Sequence, residues 1–339
     1  MLILAFESSC DESSVAVVRD GCVIALRTVT QSVHQQFGGV VPELAGRSHL
    51  QLMDGLTQES LSQARISAKE LDLVCSTVGP GLVGSLLVGS NYARGLSLAL
   101  QKPFRSIHHL EGHLWSAEIE AGALPLPFLV LLVSGGHTLI ILVNGLRDYT
   151  ILGTTLDDAL GEAYDKVGKL MGLGFPAGAE VDRLASSGNP DKYPFTPPMS
   201  DASLDFSFSG LKTAVLYAIR DKDEALRSRI TPDILASFQE SALTSVISKI
   251  RRATDLYNPH AIVAAGGVAA NSRLRTLLGK LCAEHEISCR CPSIKYCMDN
   301  AAMIGYVAWK LEQAGIQDEI SAVRPRWSLT ELKAEAVAA

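Results

Sequence analysis

The chain has 339 residues, with 47% hydrophobic and 19% charged side chains and a formal net charge of −6. That balance excludes an intrinsically disordered chain, and the length exceeds what one ordinary core fills, so two lobes are expected. The negative charge argues against an extended nucleic-acid-coating surface while leaving room for a local basic patch.

Residues 2–6 (LILAF) form a short apolar run with no basic segment before it, which reads as a first β-strand and not as a signal or transit peptide. The polar turn ESSCDESS leads to a second strand at 15–18, and the turn RDG (19–21) to a third, CVIALRTV. Helical sequence follows over 43–65. The strand LDLVCSTV then enters GPGLVG (79–84), followed by a helix and the strand FRSIHH. G-x-G-x-x-G in this setting matches a dinucleotide loop, but no ribose-binding acid stands about 20 residues on, and Ser85 occupies the place of a P-loop lysine. Its glycines are better read as letting a loop pass close to a ligand or to the facing lobe.

HHLEGH (108–113) keeps His109 and His113 at i and i+4, on one helix face, as in a zinc protease. Glu111 is at i+2, about 200° around the helix from His109, so the proteolytic base is excluded while the ligand pair survives. Two imidazoles need a further ligand, and a carboxylate is typical. Asp299, in YCMDNAAM, stands at an expected strand-to-helix junction, where an N-cap would also stand; spacing alone does not choose between ligand and cap.

EAGALPLP (120–127) is a plausible crossing between lobes. After it, FLVLLV, SGGH, TLIILV, NG and YTILGT repeat the opening strand–turn–strand–turn–strand pattern, Leu132 matching Phe6 at an offset of 126, with helical sequence again over 157–172. A duplicated β-hairpin unit backed by helices is the layout of the actin, sugar-kinase and Hsp70-type ATPase fold, an α/β fold of two lobes and an interlobe cleft. The expected lobes are 1–126 completed by 301–339, and 127–300. In that fold the two hairpin turns face each other and hold phosphates with backbone N–H groups. FPAG (175–178) with Asp182 suits a ribose loop or a simple turn, and DFSFSGLKT (205–213) is explained by turn and capping chemistry. HAIVAAGGVAANSRLRTLL (260–278) is a buried strand, a glycine pair and a helix starting near Asn271 or Ser272, suited to the adenosine end of a nucleotide. The seven cysteines of a chain without a secretory signal are expected reduced; Cys289, Cys291 and Cys297 cluster but match no zinc spacing. No apolar stretch reaches the roughly 18 residues a bilayer needs.

The motifs ESSCDES, VVPELAGRSH, GPGLVGSLLVG, HHLEGH, LLVSGGHT, DDALGEAYDKVGKLMGL, LDFSFSGLKT, GGVAANSRLR, CMDNAAMIGY and VRPRW occur in this order. Through them the chain, from Met1 to about Leu332, resembles the bacterial TsaD family of tRNA adenosine threonylcarbamoyltransferases. The resemblance implies the actin-like fold. It also implies transfer of a threonylcarbamoyl group from threonylcarbamoyl-AMP to the N6 amine of the adenosine just 3′ of the anticodon, in tRNAs reading codons that begin with adenine, with release of AMP. It implies one divalent metal, Fe(2+) ahead of Zn(2+), on His109, His113 and Asp299. Substrate contacts are implied at Leu132, Val133, Ser134, Gly135, Gly136, Asp165, Gly178, Asp182 and Asn271. It further implies tRNA as partner, a degenerate actin-like subunit of TsaB type, a small ATPase of TsaE type, and a cytoplasmic location without a membrane.

The chemistry of such a transfer asks the backbone amides of Ser134, Gly135 and Gly136 to hold a phosphate or developing oxyanion, and a base in the first hairpin turn, Asp11 or Glu12, to take the amine proton. Two departures from the family pattern stand out. The usual E-T-S-C-D-E-T carries serines at 8, 13 and 14, and the usual P-G-G-P reads Pro176-Ala177-Gly178-Ala179. An alanine at 177 would be strained if the loop needed a positive φ there.

Overall fold

The computed structural model describes residues 1–317 and 322–332. In chain order the elements are β1 (Leu2–Glu7), β2 (Glu12–Arg19), β3 (Cys22–Thr30), α1 (Pro42–Ala64), β4 (Leu73–Gly79), α2 (Val83–Leu100), β5 (Phe104–His108), α3 (His109–Trp115) and α4 (Glu118–Ala121). There follow β6 (Phe128–Val133), β7 (Thr138–Gly145), β8 (Asp148–Thr154), α5 (Leu160–Leu170), α6 (Gly178–Ala185), α7 (Ser209–Ile219) and α8 (Glu224–Tyr257). The last are β9 (Ala261–Ala265), α9 (Ser272–Glu284), β10 (Ser288–Arg290), α10 (Ile294–Cys297) and α11 (Ala301–Gln313). The chain divides into two compact units, one of residues 1–123, 146–149 and 292–339, the other of 124–145 and 150–291. Asp299 therefore belongs to the same unit as the two histidines.

In the first unit the sheet order is β3-β2-β1-β4-β5. β1 runs antiparallel to β2, with Phe6 opposite Val15, and parallel to β4, with Phe6 opposite Ser76. Its run LILAF carries apolar residues on both faces because both faces are covered. Leu4 and Phe6 pack with Met53 and Leu56 of α1 and Ala93 of α2. On the other face α11 comes so close that a Cβ on Gly305 would lie 2.7 Å from Val18 and 3.1 Å from Ala5. Each such fully buried aliphatic side chain contributes about 1.5–3 kcal/mol relative to exposure.

The second unit repeats this order, β8-β7-β6-β9-β10, around the fully buried strand β6. β6 is antiparallel to β7, with Val133 opposite Thr138, and parallel to β9, with Leu132 opposite Ala265. The duplication read from two strand–turn–strand patterns is thus a duplication of whole five-stranded sheets. Two of the element boundaries that differ from expectation bear on the site. β2 begins at Glu12, three residues before the expected 15–18, so Glu12 is a strand residue. α5 begins at Leu160 and not at 157, because Thr155 Oγ1 donates to the Asp158 carbonyl (2.6 Å) and Thr138 Oγ1 accepts the Leu160 N–H (2.8 Å), which ends the preceding turn there.

Gly79 and Gly81 of GPGLVG serve packing inside the first unit. A Cβ on Gly79 would meet the Arg324 carbonyl oxygen at 2.1 Å, where Arg324 N–H bonds Val78 O at 2.7 Å. A Cβ on Gly81 would meet the Ser9 carbonyl oxygen at 2.5 Å. The loop approaches the chain's own ESS turn and VRPRW segment, and this explains why a dinucleotide pattern lacks the rest of a dinucleotide site.

In the second unit Gly266 has φ +88° and ψ 163°, and a Cβ there would stand 2.3 Å from the Val133 carbonyl oxygen; next to it, a Cβ on Gly267 meets nothing within 4 Å. Gly266→Ala is therefore expected to lower the unfolding free energy by at least about 2 kcal/mol and Gly267→Ala by less than about 0.5 kcal/mol, read by urea denaturation.

Candidate functional site

β5 ends on His108, whose ring accepts the Leu110 N–H at 3.1 Å and so caps α3. The cap starts the helix at His109, and one turn later His113 comes onto the same face, the two rings 4.8 Å apart and nearly perpendicular. Asp299 Oδ1 lies 3.0 Å from His113 Nε2 and 3.6 Å from His109 Nε2. The residue that caps α11 is Asn300, whose side chain accepts the Met303 N–H at 3.1 Å. Capping is thus the neighbour's task, and the Asp299 carboxylate joins the histidines. The element preceding it is the short helix α10 and not a strand.

His109, His113 and Asp299 form the one group, among the described residues, with metal-ligand spacing, and could hold a metal ion. The two edges to Asp299, 3.0 and 3.6 Å, bracket the edge of about 3.3 Å that a tetrahedral ion with ligands at 2.0–2.1 Å requires, and all three ligand atoms lie within 4.8 Å of one another. Both imidazoles are buried, while Asp299 is 20% exposed and leaves an open side.

Beneath the ligands lies a fully buried carboxylate, Glu7, absent from the residues singled out in the sequence. Its Oε2 is 3.0 Å from His109 Nδ1 and accepts the Thr77 hydroxyl, and its Oε1 accepts the Ser9 N–H at 2.6 Å. Burial opposes its charge, but His109 and these hydrogen bonds hold its carboxyl below the usual range. Burial likewise opposes charge on His109, and Glu7 and Asp299 outweigh it, raising the imidazole to about 9. The carboxylate of Asp299 beside the two imidazoles, with Glu7 behind His109, gives the group a negative charge that suits a divalent cation. The one signal for Glu7 in the sequence is an acid closing a run of apolar residues, a position that is costly unless the charge is paired.

Glu111 points elsewhere. Its Oε1 pairs with Arg147 Nε at 2.9 Å and accepts the Tyr149 hydroxyl at 2.7 Å, and Tyr149 in turn accepts from Trp115 Nε1 at 2.9 Å. Of the two expected bases, Glu12 lines a cavity of about 540 Å³ together with Thr28, Thr30, Lys295 and Asp299. Burial, then Asp299 and Asp11, push its carboxyl well above the usual carboxylate range. Asp11 is half-buried, and its carbonyl accepts the Gln31 N–H at 3.0 Å.

In the second unit Leu132 and Val133 end β6 and turn into Ser134–Gly136. Ser134 N–H is spent on the His137 carbonyl (2.8 Å), and Ser134 Oγ accepts the N–H groups of Gly136 (3.3 Å) and His137 (3.1 Å). Of the three amides expected to face a phosphate, Gly135 N–H is the one without such a bond among the described residues. Neither Gly135 nor Gly136 has a positive φ, and a Cβ on either would meet nothing within 4 Å. The fold therefore leaves space over this turn that it does not use.

The remaining expected contacts sit at one corner of that unit. Asp165 on α5 accepts the Ala177 N–H at 2.7 Å, and Gly178 opens α6. Asp182 on α6 accepts from Ser272 N (2.9 Å) and Oγ (3.0 Å) at the start of α9. Asn271 caps α9 by accepting the Leu274 N–H at 2.9 Å and donates to Gln239 Oε1 at 2.8 Å. Ala177 has φ −96°, so the family departure there introduces no backbone strain. DFSFSGLKT is held by Asp157, which accepts both serine hydroxyls and the Phe208 N–H, as capping chemistry requires. All seven cysteines are unbridged thiols; Cys289 and Cys291 lie at the end of the second unit, while Cys297, on α10 of the other unit, donates to the Pro292 carbonyl at 3.1 Å.

The family model described as TsaD, tRNA N6-adenosine threonylcarbamoyltransferase, matches residues 22–306. A protein named tRNA N6-adenosine threonylcarbamoyltransferase from Kosmotoga olearia is 46% identical, covering 93% of this chain and 95% of its own. One of the same name from Thermosipho africanus is 44% identical, covering 94% and 97%. Among solved structures, HypF of T. kodakarensis superposes with a TM-score of 0.64 at 13% identity, over 92% of this chain and 48% of that one. The activator of 2-hydroxyisocaproyl-CoA dehydratase from Clostridium difficile, with bound ADPNP, gives 0.52 at 15% identity over 95% and 100%. These structures place the chain in the actin-like ATPase and sugar-kinase fold.

Glu111→Gln is expected to lower the unfolding free energy by about 3 kcal/mol, since it removes one charge of a buried ion pair, and to leave cobalt(II) affinity within about twofold of wild type. Chemical denaturation and a cobalt titration read the two effects separately.

Proposed function

The chain belongs to the TsaD family of tRNA N6-adenosine threonylcarbamoyltransferases, and on that premise we propose that it transfers a threonylcarbamoyl group from threonylcarbamoyl-AMP to the N6 amine of the tRNA adenosine 3′ of the anticodon. The observation that carries this reading is the group His109, His113 and Asp299, which gives a transferase of this family a place for a divalent cation, Fe(2+) or Zn(2+). The tRNAs are those reading codons that begin with adenine. Among the described residues no helix is long and apolar enough to cross a membrane. A cytoplasmic location and work alongside a TsaB-type subunit and a TsaE-type ATPase belong to the same proposal.

The reaction forms one C–N bond and breaks one C–O bond. The adenosine amine attacks the carbamoyl carbon, AMP departs with the bonding electron pair, and the amine loses a proton. The two imidazoles and the carboxylate would hold the cation, which would supply Lewis-acid chemistry when bound. The chain's own part is to bind and orient. In the second unit the Gly135 N–H and the space over Gly135 and Gly136 suit the adenylate phosphate, with Leu132 and Val133 setting the end of β6 from which this turn springs. Asp165 and Gly178 would bind the ribose region, and Asp182 and Asn271 would hold the start of α9 against the nucleoside. In the first unit Glu12 would accept the amine proton. A carboxyl whose affinity for protons is raised above the ordinary range is a better base near neutral pH than an unperturbed one.

Mass spectrometry of tRNA nucleosides tests the function. Cells depleted of the protein are expected to lose threonylcarbamoyladenosine and to regain it with wild type, but not with a His109→Ala/His113→Ala double variant. An undiminished nucleoside would refute the transferase and favour a small-molecule kinase of the same fold. Full rescue by the double variant would refute the metal group alone. Glu12→Gln is expected to bind tRNA and adenylate as wild type does and to lower kcat by about 10²–10⁴-fold. Wild-type turnover would leave Asp11 as the base.

A further inference from the structure

We propose that Glu7 is a positioning residue that sets the tautomer of His109, so that Nδ1 carries the proton and Nε2 presents its lone pair to a cation. The inference rests on the reading that His109, His113 and Asp299 bind a divalent metal. It goes beyond that reading by assigning a role to a side chain that touches neither substrate nor cation.

A neutral imidazole has one proton for two nitrogens, and the partner of one nitrogen decides the state of the other. His109 Nε2 faces Asp299 Oδ1 at 3.6 Å, on the side of the metal group. His109 Nδ1 faces Glu7 Oε2 at 3.0 Å and Ser9 Oγ at 3.2 Å. An ionised carboxylate only accepts, so Nδ1 meets an acceptor that favours its protonation. The carboxylate itself cannot turn away, because three further constraints hold it. Thr77 Oγ1 donates to the same Oε2, Ser9 N–H donates to Oε1 at 2.6 Å, and the side chain is wholly buried. Those donors come from β4 and from the first hairpin turn, while His109 comes from α3, so one acid at the end of β1 ties three parts of the first unit to a single imidazole orientation. Metal-binding histidines commonly carry such a carboxylate on the other nitrogen, and its loss typically weakens metal affinity by about 10–100-fold.

Glutamine at this position breaks the arrangement in either orientation. With its NH2 at the Oε1 position it opposes the Ser9 N–H, donor against donor. With its NH2 at the Oε2 position it donates to His109 Nδ1, and the ring proton is then driven to Nε2, where it blocks the cation.

The test titrates metal-free protein with Zn(2+) in competition with a chromophoric chelator, comparing wild type, Glu7→Gln and His113→Ala. Glu7→Gln is expected to raise the zinc dissociation constant by about 10–100-fold, with His113→Ala weakened at least as much. If His113→Ala is weakened and Glu7→Gln binds as wild type does, the assignment of Glu7 is overturned and the metal reading stands. If His113→Ala also binds as wild type does, both are overturned. A second measurement needs no Glu7 variant and decides the matter even if Glu7→Gln does not fold. In zinc-loaded wild type carrying ¹⁵N-histidine, long-range ¹H–¹⁵N spectra are expected to show His109 protonated at Nδ1 and metal-bound at Nε2, assigned by the signal lost in His109→Gln. Zinc on Nδ1 would overturn the proposal.

Discussion

Much of the first unit turns on a buried negative charge at the end of its central strand. A carboxylate sealed from water costs several kcal/mol unless its oxygens are all engaged, and Glu7 meets that condition by drawing in a hydroxyl, a backbone N–H and an imidazole. The partners come from β4, the turn after β1 and the start of α3, so the need to satisfy one acid fixes where those elements meet. His109 is held by this arrangement. His113 follows one helical turn later, and the carboxylate of Asp299 completes the group because Asn300 has taken over the capping of α11.

The parts of this arrangement legible in the sequence are those governed by local periodicity. Alternating strands and Asp-Gly and Asn-Gly turns exposed the duplicated hairpins, and the i, i+4 spacing with Glu111 on the far face separated a ligand pair from a protease box. Glu111 is indeed spent on Arg147 and Tyr149. What local pattern does not carry is long-range pairing. Glu7 and His109 are 102 residues apart, and nothing in ESSCDES announces an imidazole partner. Similarly, DNA at 299–301 offers two adjacent capping residues, and only tertiary contact decides that the second caps while the first turns to the histidines.

The turn SGGH and the loop GPGLVG make the same point from opposite sides. Both are glycine-rich and both follow a buried strand. In GPGLVG the missing side chains of Gly79 and Gly81 make room for Arg324 and Ser9, so these two glycines answer to the fold. A Cβ on Gly135 or Gly136 would meet nothing within 4 Å, and neither glycine has a positive φ. A glycine that packing does not require is a stronger pointer to a ligand than one that it does, and a motif alone does not distinguish the two.

The division of the chain also bears on its birth. The second unit is built from one nearly continuous stretch, residues 124–145 and 150–291, whereas the first draws on segments both before and after it. Asp299 emerges from the ribosome 186 residues after His113, a delay of roughly 10–40 s at 5–20 residues per second. Through that interval the two histidines exist without their carboxylate, and α11 is not yet there to cover the back of β1. The three-ligand group is therefore completed only after the whole second unit has been made, and a product ending at residue 294 would carry every residue of the second unit and no three-ligand group at all.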